Sequence, residues 1–320
     1  MNLNGLRTLV TGGAGFVGSN LVRELLDHGA AVHVATRPDT DLWRLIDVLP
    51  RVQRHTLDLT DSAGVRRVVH GVDPDAVFHM AKHRGDPDAL NYQAAYAANL
   101  DATLNLLEAV AGSTRLRRFV HAGSSLEYDL GPSPLREDAP PRPVTVHGVT
   151  KAAAAILCQH FNARHGVPTV VLRFFTVYGP WEGARRLVPS VVRAVLDRER
   201  VRLTRPGLRH DWIYVGDVAD ACVRAVSAVG VDGEILNIGT GIETTNEDVV
   251  RLVEELSGVR VDREDIEFPD RPWDTGRWAA DTSKAERLLG WRASTPLREG
   301  LGRTLAWFTQ HLDLYRGRAS

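Results

Sequence analysis

Cysteine is nearly absent from this chain: Cys158 and Cys222 are the only two among 320 residues. Each lies in an apolar, helix-like stretch far from the other. That excludes a disulfide framework and a cysteine-based zinc centre, and marks both as small core residues. A surplus of either charge is lacking too. Thirty-nine basic residues oppose forty acidic ones, a formal charge of −1, so no global field recruits nucleic acid or a membrane surface, and neither is expected as a partner. The arginine pairs Arg66-Arg67 and Arg117-Arg118 read as solvated faces. No apolar run is long enough to span a membrane. The opening "MNLNGLRTLVTGG" enters a strand with no charged-then-apolar leader, so a cytoplasmic location is expected. Lysine is the scarcest charged residue, with Lys82, Lys151 and Lys284 set against thirty-six arginines. One of the three, Lys151, follows His147 by four residues in "VTVHGVTK", a spacing that puts both side chains on one helix face.

What is present is an ordinary globular composition, 43% hydrophobic and 25% charged, long enough for one large or two intimate domains. Short apolar runs at 7–11, 31–36, 52–57, 75–79, 117–122 and 168–173 predict strands, and helical periodicity is clearest at 16–28, 61–70, 91–111 and 148–165. Strands separated by such helices predict right-handed crossovers and a parallel sheet covered on both faces. That is a doubly wound α/β fold of Rossmann type, with its ligand site beyond the carboxyl ends of the strands. From about residue 175 the alternation loosens, and a smaller interleaved α/β lobe is expected. Residues 1–175 would form a dinucleotide-binding domain to which 211–238 return, and 176–210 and 239–320 would form mainly a substrate lobe. Two stretches break the pattern: the proline-rich loop at 129–143 and the polar, aromatic segment at 262–278.

Residues 11–18, "TGGAGFVG", space Gly12, Gly13, Gly15 and Gly18 as a dinucleotide-binding loop does, between a predicted strand and the start of a helix. There, glycines permit a tight turn and close approach of a pyrophosphate to a helix N-terminus. Further motifs accompany it: "FHMAK" at 78–82, "NLDATLNLLEA" at 99–109, "GSSLEY" at 123–128, "HGVTK" at 147–151, "LRFFTVYGP" at 172–180, "RHDWIYVGDVADA" at 209–221 and "RPWDTGRWAADTSKAERLLGW" at 271–291. With these motifs, across nearly its whole length, the chain resembles the extended short-chain dehydrogenase/reductase family, and within it the nucleotide-sugar epimerase, dehydratase and ketoreductase branch.

The resemblance implies a catalytic group of Ser or Thr, Tyr and Lys. Ser124 matches the first and Lys151 the last, whereas His147 stands at the tyrosine position. An ammonium at 151 would hold the nicotinamide ribose. Histidine titrates near neutrality, where a general acid–base is poised, and like charge from Lys151 would loosen its proton. Tyr128 and His83 are the nearest alternative proton carriers. Implied cofactor contacts are Gly12, Gly15, Phe16, Val17, Gly18, Asp58, Leu59, Met80, Ala81, Lys82, Lys151 and Asn99, which the family places at the start of a helix. At the end of the second strand an acidic residue would accept the NAD ribose hydroxyls, whereas arginine would pair a 2′-phosphate. Thr36 stands there and Arg37 follows, which favours NADP, with NAD the second choice. His79 and His83 have a metal-like spacing but leave a strand with no glutamate beside the first, so no metal is expected.

Family dehydratases carry Asp and Glu directly after the catalytic Ser or Thr; here Ser125 and Leu126 follow, with Glu127 one step late. Water elimination is therefore disfavoured. Ser125, Thr176, Arg185, Leu187, Arg209, His210 and Arg271 match positions that line the nucleotide-sugar half. His210 replaces an arginine and Thr176 an asparagine, so the nucleoside diphosphate stays open. The leading reading is NADPH-dependent reduction of a nucleotide-activated keto-sugar. An epimerase with retained cofactor comes second, and a non-catalytic dinucleotide-binding protein third. Relatives dimerise through helices matching 91–111 and 148–165, so a homodimer is expected.

Overall fold

The computed structural model describes residues 3–83, 91–129, 134–264, 274 and 277–316. Seven parallel strands form its central sheet: β1 (Arg7–Thr11), β2 (Ala31–Thr36), β3 (Gln53–Thr56), β4 (Ala76–His79), β5 (Arg118–Ser124), β6 (Thr169–Phe174) and, later in the chain, β10 (Glu234–Ile238). Their order is β10-β6-β5-β4-β1-β2-β3, every neighbouring pair being parallel. The chain starts at β1, runs outward to β2 and β3, then restarts at β4 on the other side. The β1/β4 boundary is thus the switch point beyond which a doubly wound sheet opens a ligand crevice.

Helices cover both faces, which is why β4 and β6 are buried at every residue and read mainly as apolar runs, with His79, Thr169 and Arg173 the polar exceptions. On one face pack α1 (Phe16–Asp27) and, from later in the chain, α7 (Val215–Ser227), around a core that includes Leu21, Val22, Phe78, Val120 and Cys222. The other face holds α2 (Ser62–Val72), α4 (Ala102–Val110) and α5 (Val146–His165), around Val65, Leu106, Phe119 and Cys158. Both cysteines are buried and free.

Local signals set the helix ends. The Thr145 hydroxyl accepts from Gly148 N at 3.0 Å and starts α5 two residues before the predicted 148; Gly166, at φ +65°, ends it. The predicted helix at 91–111 is three pieces, α3 (Tyr92–Tyr96), a π turn (Ala97–Asp101) and α4. Asn99, expected to open a helix, lies within that π turn. Asn91 is the cap instead, its side chain accepting from Ala94 N. Arg118 also departs from expectation. It is buried, donates to Ala228 O at 2.8 Å and pairs with Asp232, so only Arg117 of that pair faces solvent.

Smaller elements stand beyond the carboxyl edge. A three-stranded sheet joins β7 (Thr176–Tyr178), β9 (Arg209–Tyr214) and β11 (Glu243–Thr245), and a short pair joins β8 (Arg200–Val201) to β12 (Asp262–Arg263). The helices α6 (Leu187–Asp197), α8 (Asn246–Ser257) and α10 (Leu297–His311) enclose a separate core of Val191, Val249, Leu301 and Phe308, and α9 (Ser283–Leu289) lies against β10. The Asp211 carboxylate ties this part together by accepting from Thr240 N, Gly241 N and Ala280 N. No helix among the described residues is long and apolar enough to cross a membrane.

Candidate active site

The glycine loop is shaped by steric necessity. Gly12 sits at φ +70°, and a Cβ there would come within 2.4 Å of Ala81 N; at Gly18 a Cβ would lie 2.2 Å from Gly12 O. The turn therefore presses on the Met80–Ala81 end of β4 and on the first turn of α1, as close backbone packing demands. Helix α1 is capped by Gly15 with no side chain on its N–H groups and no acid in its first turn. The amides of Phe16, Val17 and Gly18 lie at the positive end of the helix dipole, a cradle that fits a dinucleotide pyrophosphate.

At the end of β2, Thr36 is buried and its hydroxyl accepts from Arg54 Nε at 2.9 Å. Arg37 is exposed, 3.7 Å from Asp39. Asp58 accepts from the Thr60 amide (2.9 Å) and hydroxyl (2.8 Å), which with Arg37 hold its carboxyl below the usual range. The Leu59 carbonyl accepts from Asn105 Nδ2 at 2.8 Å.

The chemical centre is assembled by Asn99. Its Oδ1 accepts from His83 N at 2.7 Å and its Nδ2 donates to Thr150 Oγ1 at 2.8 Å, while Thr150 donates to the Val146 and His147 carbonyls. The segment after β4 is thus clamped to the first turn of α5. A Cβ on Gly148 would lie 2.1 Å from Leu126 O, so that turn also presses on the residues following Ser124. Lys151, 2% exposed, donates to Ala122 O at 2.7 Å. Burial, more than the neighbouring Lys82, pushes its ammonium down to about 8. His147 is half-buried, and neither ring nitrogen has a partner among the described residues. Burial first, then the charges of Lys151, Lys82 and His83, push its pKa down to about 3, so the imidazole is neutral at physiological pH.

Several neighbours prove committed elsewhere. The Ser124 hydroxyl accepts from Leu126 N at 3.2 Å and keeps its own proton to donate. Glu127 accepts from Ser124 N (2.7 Å) and pairs with buried Arg173 (2.7 Å), so the late glutamate braces the turn and does not face the cleft. Ser125 is buried and accepts from Trp278 Nε1 at 3.2 Å. Tyr128, proposed as an alternative proton carrier, cannot serve: it is 1% exposed, donates to Asn237 Oδ1 at 2.7 Å and is pushed up to about 12 by burial. His79 is spoken for too. Thr103 gives its proton to Asn99 O, so His79 Nε2 donates to Thr103 and Nδ1 accepts from Thr11. No lone pair on its ring is left for a metal.

On the substrate side, Thr176 pairs with Trp212 across β7 and β9, and Arg185, Arg186 and Leu187 stand at the start of α6. His210, on β9, is pushed down to about 4 by burial and by Arg186, while Arg209 is exposed. Arg186 also bears on Lys82, so the starts of α6 and β9 and the post-β4 segment lie within electrostatic reach of one another. Arg271 lies outside the described residues. Sequence reading missed Thr150 as the Asn99 partner, although its place three residues after His147 signals it. It also missed Glu182, an acid stranded in the apolar run "YGPWEGA".

The model of the NAD-dependent epimerase/dehydratase family matches residues 8–239. The chain belongs to that family. Within it, the chain is 32% identical to dTDP-glucose 4,6-dehydratase of Neisseria meningitidis, over 94% of this chain and 93% of that one. Two solved structures show the same fold. UDP-glucose 4-epimerase of Thermotoga maritima with UDP-glucose superposes at a TM-score of 0.87, 27% identical over 95% of this chain and 99% of the other. UDP-glucuronic acid 4-epimerase of Bacillus cereus, in complex with UDP-glucuronic acid and NAD, superposes at 0.85, 26% identical with the same coverage. The chain is an enzyme of the extended short-chain type, with the seven-stranded parallel sheet its family shares.

Proposed function

We propose that this epimerase/dehydratase-family enzyme performs redox chemistry at a ring carbon of a nucleotide-activated sugar, with Ser124, His147 and Lys151 at the reacting oxygen. The observation that carries the reading is the clamp that ties the first turn of α5, with His147 and Lys151, to the turn after Ser124 and to the post-β4 segment on which the glycine loop also presses. Residues 1–175 with 211–238 would hold the dinucleotide, and 176–210 with 239–320 the sugar nucleotide. Gly12–Gly18, Asp58 and Lys82 fit the dinucleotide, which when bound supplies the hydride acceptor or donor. Lys151 offers its remaining ammonium donors to the nicotinamide ribose. Ser124 donates its proton to the sugar oxygen. Neutral His147 accepts the hydroxyl proton on oxidation and returns it on reduction; with basicity so suppressed it holds that proton only in passing. Dehydration is disfavoured because Glu127, the one carboxylate next to Ser124 in the turn, is sealed in its pair with Arg173.

Two finer readings remain. NAD in the Bacillus cereus neighbour, and the fact that both neighbours are 4-epimerases, support a 4-epimerase type of reaction with retained NAD. Thr36 and Arg37 support NADPH-dependent reduction of a keto-sugar. Stoichiometry separates them: an epimerase turns over UDP- or dTDP-hexoses with no net change in nicotinamide absorbance, while a reductase consumes one NADPH per turnover. His147→Phe is expected to lower either rate by about 10²–10⁴. Wild-type rates in the phenylalanine variant would overturn the role given to His147. The exposed apolar side chains of Tyr92, Tyr96, Val149 and Ile156 on α3 and α5 support a homodimer through these helices.

A further inference from the structure

Glu182 is an acid in an unexpected place. It is 2% exposed and follows Trp181, which holds φ +69°, a conformation bulky residues adopt only under constraint. The constraint is visible. Trp181 packs against Trp43 and Trp307, with ring centroids 5.6 and 4.8 Å away. The Glu182 backbone is pinned as well, its N–H donating to Gly179 O and its carbonyl accepting from Tyr315 Oη at 2.9 Å. This places the carboxyl Oε1 3.6 Å from Arg186 Nε, four residues on at the N-cap of α6, whereas Oε2 is buried with no hydrogen-bond partner. An unmatched carboxylate oxygen out of water is costly. Arg186 faces the other way too: its side chain is 58% exposed and its charge reaches Lys82 and His210.

We propose that Glu182 is a positioning residue for substrate binding, holding Arg186 at the mouth of the cleft and releasing it to the substrate diphosphate as the carboxyl takes up a proton. The inference rests on the nucleotide-sugar reading. A guanidinium pairs better with a diphosphate than with one shielded carboxyl oxygen. Once Arg186 turns to the diphosphate, an ionised Glu182 would be left buried without its counter-charge, so it binds one proton from solvent. Charged or titratable groups facing it are Arg186, Arg44 from the turn after β2, Tyr178 of β7 and Tyr315 near the C-terminus. Burial, opposed by Arg186 and Arg44, pushes the carboxyl up to about 8. Near pH 7 the proton is already largely in place and Arg186 keeps its full charge for the ligand; near and above pH 8 the ionised carboxyl holds Arg186, and ligand binding must draw in the proton, which weakens it.

The test is calorimetric titration of the full-length protein with UDP-glucose and dTDP-glucose from pH 7 to 9, where the diphosphate diester keeps a constant charge. Lys82 and Lys151 also titrate downward from their usual range, so the difference between wild type and Glu182→Gln is the diagnostic. Wild-type affinity should fall about tenfold more across this range than that of the glutamine variant. Proton uptake near pH 8, read from two buffers of different ionisation heat, should be smaller than in wild type by up to one proton in Glu182→Gln and also in Arg186→Met. Equal pH slopes in wild type and Glu182→Gln, or undiminished proton uptake in Arg186→Met, would overturn the role of Glu182 while leaving the nucleotide-sugar reading intact. Failure of the wild type to bind either sugar nucleotide would overturn both.

Discussion

The dinucleotide cradle and the substrate mouth lie at the same edge of one sheet and are built in opposite ways. The cradle is backbone: Gly12 and Gly18 approach other main-chain atoms so closely that no Cβ can be admitted, and the amides at the start of α1 stay open because no side chain caps them. The mouth is side chain: Arg186 stands beside Lys82, His147 and His210, whose protons are loosened by burial and by neighbouring charges. The first kind of site is rigid and indifferent to pH. The second is tunable, and its chemistry can change by substitution without disturbing the fold.

The comparison breaks most visibly at Gly12. Valine there combines a β-branched side chain, φ +70° and a Cβ 2.4 Å from Ala81 N, and the obstacle is backbone that cannot step aside. Binding of NADH or NADPH, followed by dihydronicotinamide fluorescence, should weaken by at least about 100-fold, since displacing the turn costs about 3 kcal/mol or more (1.4 kcal/mol per tenfold,). Nucleotide-sugar binding, measured separately, should change little if cradle and mouth are independently built. Parallel loss of both would show that they are one mechanical unit.

A smaller effect is expected at Lys151, the side chain that joins the two regions. Burial lowers its pKa to about 8, so the folded state favours the neutral amine and the ammonium is lost as pH rises through 8. For stability the sign is the reverse of a salt bridge: between about 8 and the unfolded value near 10.4 the unfolded chain binds more protons, so this group's contribution rises with pH. Dinucleotide affinity should run the other way, falling severalfold from pH 7 to 9 as donors to the ribose are lost. Lys151→Arg, charged throughout, should flatten that profile even if it weakens binding overall. A pH-independent wild-type affinity would count against Lys151 as a ribose ligand.

The same contrast explains what could be read in the sequence. Strands β1 and β2 fall at 7–11 and 31–36 as expected, because buried parallel strands leave short, mainly apolar runs rich in Val and Leu. The glycine loop was legible because steric exclusion leaves only one residue type. The helix at 91–111 was legible as helical but not as interrupted, since the π turn is visible only through the buried bonds of Asn99 to His83 and Thr150, the latter 51 residues away. Arg118 was misjudged because its partner, Asp232, comes from the far end of the sheet. Glu182 could not be interpreted at all, since its place depends on Tyr315, 133 residues on. Local rules reach backbone sites, whereas the charge of a buried side chain depends on what folding brings beside it.

The smallest expected effect tests cofactor choice, and it probes the one part of the cradle that is made of side chains. Thr36 supplies no carboxylate to bind a ribose 2′-hydroxyl or repel a 2′-phosphate, and its hydroxyl is occupied by Arg54. Arg37 is free to swing, because an exposed pair with Asp39 at 3.7 Å is worth at most about 1 kcal/mol. If the enzyme uses NAD, the dinucleotide bound in the Bacillus cereus neighbour, Arg37→Ser should alter NAD affinity by about twofold or less, the guanidinium having no phosphate to meet. If it uses NADPH, the same change should cost about tenfold or more in NADPH affinity, a charge-assisted bond being worth roughly 1.5–3 kcal/mol, and leave NADH untouched. Arg54→Ala would then show whether the second guanidinium shares the load or merely fixes Thr36. An equal loss for both dinucleotides would mean that Arg37 shapes the loop and reads neither.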